Sequence, residues 1–285
     1  MTSRVWAATE YCGAAVIFFA GLLAVDLTGC ASNSPIAISN PPGSPVNVTG
    51  NWEFTANPSG GGGVPFGVYL TSANGVVSGS AQVQIAFPQD CVAGCCGGPF
   101  AEFNDALTGT ADAEGNLTLG SAVPNGGPVF AMTGTVNSGT LTNGSFTLTG
   151  GCPAQGTIAG IEYPALNGTY AGTLTSEMTG RSFTIMATLD QSSTPNSGGA
   201  FNVSGTAGLT GYPCATSGTV GTPLDQYSSF LGNNLEVTMN AVPSGSLSLS
   251  GTLSPDEKTM AAQYAFVLMG SSCNDDYGSG TLTLQ

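Results

Sequence analysis

Phe183-Thr-Ile185-Met-Ala187-Thr-Leu189 alternates between core-type and solvent-type positions along its whole length, with threonine recurring on one side. A period of two places successive side chains on opposite faces of an extended chain, so this stretch reads as a half-buried antiparallel strand. The same pattern runs through Phe146-Thr-Leu148-Thr149, Leu235-Glu-Val237-Thr-Met239, Leu247-Ser-Leu249 and Leu282-Thr-Leu284. Clusters of Gly, Asn, Asp and Pro break it at hairpin spacing, as at Asp112-Ala-Glu-Gly115, Asn143-Gly144 and Ser254-Pro-Asp-Glu257. The chain is therefore all-β.

An internal repeat organises these strands. Gly50-Asn-Trp52-Glu-Phe54 answers to Gly168-Thr-Tyr170-Ala-Gly172, and Val77-Ser-Gly-Ser80 to Val203-Ser-Gly-Thr206. Leu107-Thr-Gly-Thr110 matches Thr216-Ser-Gly-Thr219, Asn116-Leu117 matches Asn234-Leu235, and Met132-Thr-Gly-Thr135 matches Leu249-Ser-Gly-Thr252. Cys152 with Gly156-Thr157 then corresponds to Cys273 with Gly280-Thr281. The conserved order implies a tandem duplication, residues 46–161 and 165–285, joined near Tyr163-Pro164. Each copy has room for about eight strands with short connections. Such a meander closes into a small barrel and removes its exposed edges; a two-sheet sandwich per copy is the alternative. Pro223 to Leu231, an insertion in copy two, is expected to form a short helical lid, with the cysteine loop of copy one as its counterpart.

Outside the repeat, Gly13 to Val25 is an apolar run preceded by Arg4, the pattern of an export signal. It is too short to cross a bilayer as a helix. Leu27-Thr28-Gly29-Cys30 follows, and this motif resembles the bacterial lipobox. The resemblance implies that residues 1–29 are a lipoprotein signal peptide and that Cys30 carries the acyl chains. The protein would then face the periplasm or exterior from a membrane of the cell envelope. Residues 30–45, rich in Ser, Pro and Asn, read as a flexible tether. The opening Gly50-Asn-Trp52 of copy one is similar to the start of the lipocalin and avidin-like barrels, which implies small-molecule binding in a barrel mouth; copy two has Tyr170 where the Trp stands.

Composition narrows the chemistry. Only 7% of residues are charged, the formal net charge is −14, and Arg181 and Lys258 are the basic side chains beyond the signal. Nucleic acid is excluded as a partner, because neutralising phosphates takes clusters of Lys and Arg. Attachment to a membrane must rest on acyl chains and not on a basic patch. With no histidine in the chain, imidazole triads and imidazole metal sites are excluded. No cofactor motif is present.

Eight cysteines include Cys12 in the signal and Cys30 at the anchor. The remaining six read as disulfides of an exported protein. Copy two holds only Cys214 and Cys273, which should pair; by equivalence Cys91 pairs with Cys152. Cys95 and Cys96 are left over. Their neighbouring Cα atoms are about 3.8 Å apart, below the usual range for a disulfide, so a vicinal bridge would be strained. An alternative is that one of this cluster bonds Cys152.

The remaining candidates are carboxylates and aromatics. Asn274-Asp275-Asp276 and Asp112 with Glu114 offer oxygens for calcium without an EF-hand spacing, so no metal site is assigned. Trp52, Phe54, Phe66, Tyr69, Tyr170, Phe183 and Phe201 fall on early strands, where they either fill the cores or line a pocket for a small apolar ligand or a sugar. The expectation is a lipid-anchored binding or interaction module without catalytic activity. A structural or adhesive surface protein and a glycosidase built on two carboxylates are the alternatives.

Overall fold

The computed structural model describes residues 43–59, 62–85, 101–121, 129–149, 153–220, 228–243, 245–267 and 275–285, apart from the side chains of 82–85 and 101–105. The first copy consists of β1 (Gly50–Pro58), β2 (Val64–Ala73), β3 (Val76–Ile85), β4 (Ala101–Ala111), β5 (Asn116–Ser121), β6 (Val129–Asn137), β7 (Thr140–Thr149) and β8 (Ala154–Tyr163). Each strand pairs antiparallel with the next, and β1 pairs with β8, so the meander closes into an eight-stranded barrel.

The second copy consists of β9 (Asn167–Ser176), β10 (Ser182–Pro195), β11 (Phe201–Thr210), β12 (Ser217–Val220), β13 (Ser229–Leu231), β14 (Asn234–Val242), β15 (Ser246–Leu253), β16 (Thr259–Val267) and β17 (Asp276–Leu284). It closes through β9 with β17 and β10 with β11. β12 and β13 both lie between β11 and β14, so together they fill one strand position and the barrel is again eight positions around. Closure in both copies satisfies every sheet edge internally, which the sandwich alternative does not.

Three local expectations are corrected. Residues 229–231, expected within a helical lid, are strand β13, because Phe230 is fully buried between β11 and β14 and a strand satisfies its backbone on both sides. The rest of that insertion, 221–227, and the cysteine loop lie outside the described residues. The insertion interrupts a strand position, so it does not correspond to the cysteine loop, which separates β3 from β4. Asn143-Gly144 is not a hairpin but a bulge within β7: Asn143 has φ 51° and the β7–β8 register shifts between Leu141 and Gly144. A bulge increases local twist, as a small barrel requires. Asn74-Gly75 instead makes the tight β2–β3 turn, with φ 52° and 80°.

The register also sharpens the repeat. Asn116 faces Thr135 as Asn234 faces Thr252, so those matches align in space. Leu107 faces Gly79 while Val220 faces Gly205, which puts Thr216–Thr219 earlier in the strand position than Leu107–Thr110. Phe54 lies opposite Gly160, and Gly172 opposite Leu282. By that register Gly156 corresponds to Gly278, two residues from the expected Gly280.

Apolar side chains on the inward face of each strand form two separate cores. In the first, Trp52 stacks on Phe54 at 5.8 Å, Phe54 meets Phe66 at 5.7 Å, and Trp52 Nε1 donates to the Val48 carbonyl at 3.0 Å. Outward threonine and serine hydroxyls pair across strands, for example Thr71 with Ser78 at 2.7 Å and Thr169 with Thr188 at 3.0 Å. Each such pair contributes about 0.2–1 kcal/mol, which is how the body holds its surface with few charges.

The outer face of the first barrel seals one end of the second. Ile161 and Tyr163 pack on the second core. Asn51 Nδ2 donates to the Gly232 carbonyl at 2.9 Å while Gly232 N donates to Asn51 Oδ1 at 2.7 Å. Gly67 sits against Leu231 and Gly232 so closely that a Cβ would meet the Leu231 carbonyl carbon at 2.9 Å. The far end of the second barrel is left facing away from this contact.

Glu53 belongs to the same contact, accepting from Asn233 N at 3.1 Å and Asn233 Nδ2 at 2.9 Å. Burial pushes its carboxyl pKa up, against the opposing pull of Asn233. A carboxyl raised on folding contributes stability below its unfolded value and loses it as pH rises through the folded one. At neutral pH the ionised group therefore costs stability. Glu53→Gln is expected to raise the thermal midpoint at pH 7 by about 1–3 °C and to leave it unchanged below pH 4; a lower midpoint at pH 7 in calorimetry would contradict this.

Candidate functional site

The end of the second barrel remote from the first opens into a cleft of about 210 Å³. Three segments build it: the turn between β9 and β10, the loop carrying Gly211, Tyr212, Pro213 and Cys214 after β11, and the start of β17 at Asp275 and Asp276. Strand ends set these positions. Ser176 closes β9 and its N–H donates to the Arg181 carbonyl at 2.8 Å, so the turn holds Arg181 and Met178 at the rim.

Asp276 lines the cleft and is only 9% exposed. Its Oδ1 accepts from Ser176 Oγ at 2.6 Å and its Oδ2 from the Tyr264 hydroxyl at 3.0 Å. The Tyr212 hydroxyl hydrogen-bonds the same carboxyl. A buried carboxylate is costly unless its lone pairs are satisfied; here three hydroxyls do so. No buried side-chain nitrogen or oxygen among the described residues lacks a partner.

The hydroxyls answer to the carboxylate in turn. Burial, reinforced by the negative charge of Asp276, pushes the Tyr212 phenol up to about 12. Tyr264 moves in the same direction, again by burial first and Asp276 second. Both phenols stay protonated across the neutral range. Tyr212, which lines the cleft, stacks on Phe266 with ring centroids 4.4 Å apart and meets Phe183 at 4.8 Å, and these contacts fix its ring. The arrangement can pass a proton: one leaving a substrate reaches the Tyr212 oxygen as the phenolic proton moves to Asp276, and the reverse returns it.

Of the residues expected to line a pocket, Trp52, Phe54 and Phe66 are packed in the first core and Tyr170 in the second. Phe201 is buried and meets Tyr69 edge-on at 5.2 Å where the barrels join. Phe183 alone of that set borders the cleft. Asp275 and Asp276 line it also. Asp112 does not: its carboxylate closes its own turn, accepting from Glu114 N at 3.0 Å, Asn116 N at 2.8 Å and Asn116 Nδ2 at 2.7 Å. Those bonds hold it below the usual carboxylate range. Among the described residues no three Asp, Glu, Cys or His side chains gather as metal ligands. Cys214, at the cleft wall, is disulfide-bonded. Its expected partner Cys273, and Cys30, Cys91, Cys95, Cys96 and Cys152, lie outside the described residues.

Ser176, Tyr212 and Tyr264 escaped the sequence reading. Ser176 and Asp276 are 100 positions apart and meet only through β9–β17 pairing. The one local signal was the position of Tyr212 beside Pro213 and Cys214.

No family model matches this chain, and no curated protein matches it either. Among solved structures it is similar to kievitone hydratase from Nectria haematococca, at 9% identity and a TM-score of 0.25, with 85% of this chain and 91% of the other covered. That likeness is too slight to transfer a reaction. The expectation of a binding or interaction module without catalytic activity is nonetheless corrected: it rests on the anchor, the duplication and a poverty of catalytic side chains, whereas the cleft gathers a buried carboxylate with serine and tyrosine hydroxyls on its oxygens.

Proposed function

We propose that this is an exported protein, held at the cell envelope by acyl chains on Cys30, whose second barrel carries out proton transfer on a small substrate at its mouth. The observation that carries the catalytic part is the buried Asp276 carboxylate with Ser176, Tyr264 and Tyr212 on its oxygens. In this reading Tyr212 touches substrate, Asp276 takes and returns the proton, and Ser176 and Tyr264 position Asp276. The same reading includes the disulfides expected from the repeat, Cys214–Cys273 and Cys91–Cys152.

The catalytic reading is tested by incubating the full chain in deuterium oxide with a panel of small carbonyl compounds bearing an acidic C–H, and following deuterium uptake by mass spectrometry. Exchange catalysed above buffer should fall by roughly 10²-fold or more in both Asp276→Asn and Tyr212→Phe. Absence of exchange across the panel, or exchange retained by both folded variants, contradicts it. For the anchor, Cys30→Ser should shift the protein from the detergent phase to the aqueous phase. An equally membrane-bound variant would rule out the lipid on Cys30.

A further inference from the structure

The apolar side chains left in solvent are not scattered evenly. Among the described residues, the exposed large hydrophobics are Val76, Met178, Met186, Val242, Val267 and Tyr277. Four of these, Met178, Val242, Val267 and Tyr277, stand at the same end of the second barrel. Met178 lies in the β9–β10 turn, Val242 ends β14, Val267 ends β16 and Tyr277 follows Asp276. That is the end into which the cleft opens. They are 48–57% exposed, in a body that otherwise presents threonine, serine and asparagine to water. Met178 borders the cleft itself, and Val242, Val267 and Tyr277 stand at strand ends of the same barrel end.

We infer that the substrate is a neutral amphiphile, with one oxygen-bearing end on Tyr212 and an apolar remainder lying across this rim; the inference rests on the cleft being the catalytic site. Size supports the division. At about 210 Å³ the cleft is smaller than the ~300–1,000 Å³ of pockets that enclose a drug-sized molecule, so it admits one ring or a short chain and leaves the rest outside. The interior end is suited to an oxygen, because Tyr212 and Asp276 bring polar atoms to the cleft beside the apolar Phe183. Charge supports neutrality. Two carboxylates, Asp275 and Asp276, and a formal chain charge of −14 disfavour an anion. Arg181 at the rim, and the three hydroxyls already on Asp276, disfavour a cation.

The test uses the neutral fluorophore N-phenyl-1-naphthylamine with the full chain. Saturable fluorescence is expected, with affinity weakened about tenfold by Met178→Asp and several-fold by Val267→Ser, both checked for an intact fold by circular dichroism. Deuterium exchange by Asp276→Asn is followed in parallel, where the roughly 10²-fold loss is expected, so the apolar rim and the proton relay are read by separate measurements. No saturable binding, or binding that both rim variants leave unchanged, overturns the inference. Equal affinity for the anionic analogue 1-anilinonaphthalene-8-sulfonate overturns its neutrality. Probe binding with no exchange in any variant leaves the amphiphile site standing and defeats the catalytic reading alone.

Discussion

Phe54→Ala is expected to cost the first barrel about 3–5 kcal/mol, and Phe54→Gly combined with Gly160→Leu to recover most of that loss. Phe54 is fully buried, stacked on Trp52 and lying over Gly160, where an added Cβ would meet the Phe54 ring at 2.5 Å. Gly160→Leu alone therefore overpacks the core and destabilises it. The second barrel solves the same position in the opposite sense. Its β9 carries Gly172 where β1 carries Phe54, and its last strand carries the fully buried Leu282 where β8 carries Gly160. Either strand can supply the side chain, but not both. Trp52, the tryptophan within the barrels, reports unfolding of the first barrel in urea. A double variant no more stable than the sum of the single losses would show that the two barrels do not share this packing rule.

That exchange also shows what the sequence could and could not disclose. Strand positions are legible because each depends on a period of two within a few residues; the roughly eight strands expected in the second copy appear as eight strand positions, with β12 and β13 sharing one. Closure is not written in any one strand. It depends on β1 meeting β8 more than a hundred residues later, so barrel and sandwich share the same local pattern. The duplication helped only as far as its register: Asn116 and Asn234 align, whereas Thr216–Thr219 does not align with Leu107–Thr110, because the second copy interrupts that strand position. Aromatic residues on strands looked alike whether they faced a cavity or a core. Phe183 borders the cleft and Tyr170, in the same core, does not, because Tyr170 lies four residues closer to the opposite end of the β9–β10 pair. The Asp276 cluster was hidden for the same reason as closure: Ser176, Tyr212, Tyr264 and Asp276 come from four separate elements.

Asp276→Ala is expected to destabilise the second barrel by about 2–4 kcal/mol, since it leaves the hydroxyls of Ser176, Tyr264 and Tyr212 without their acceptor. Asp276→Asn keeps the volume and one acceptor oxygen, so it should cost less and serve as the folded variant for titration. Removing the negative charge takes away the second cause of the Tyr212 shift and leaves burial, the first. The phenol therefore titrates below its wild-type value of about 12 yet above that of a free tyrosine. The consequence for stability has a definite sign. Because folding raises the Tyr212 pKa, its contribution is present below about pH 10 and is lost as pH rises through about 12. The wild type should lose stability across that window more steeply than Asp276→Asn. Tyrosinate absorbance and chemical unfolding between pH 9 and 12 measure the two effects independently. If the titration of Tyr212 is the same with Asn at 276, the carboxylate does not govern that phenol, and Asp276 would then be a structural acceptor with no part in moving a proton.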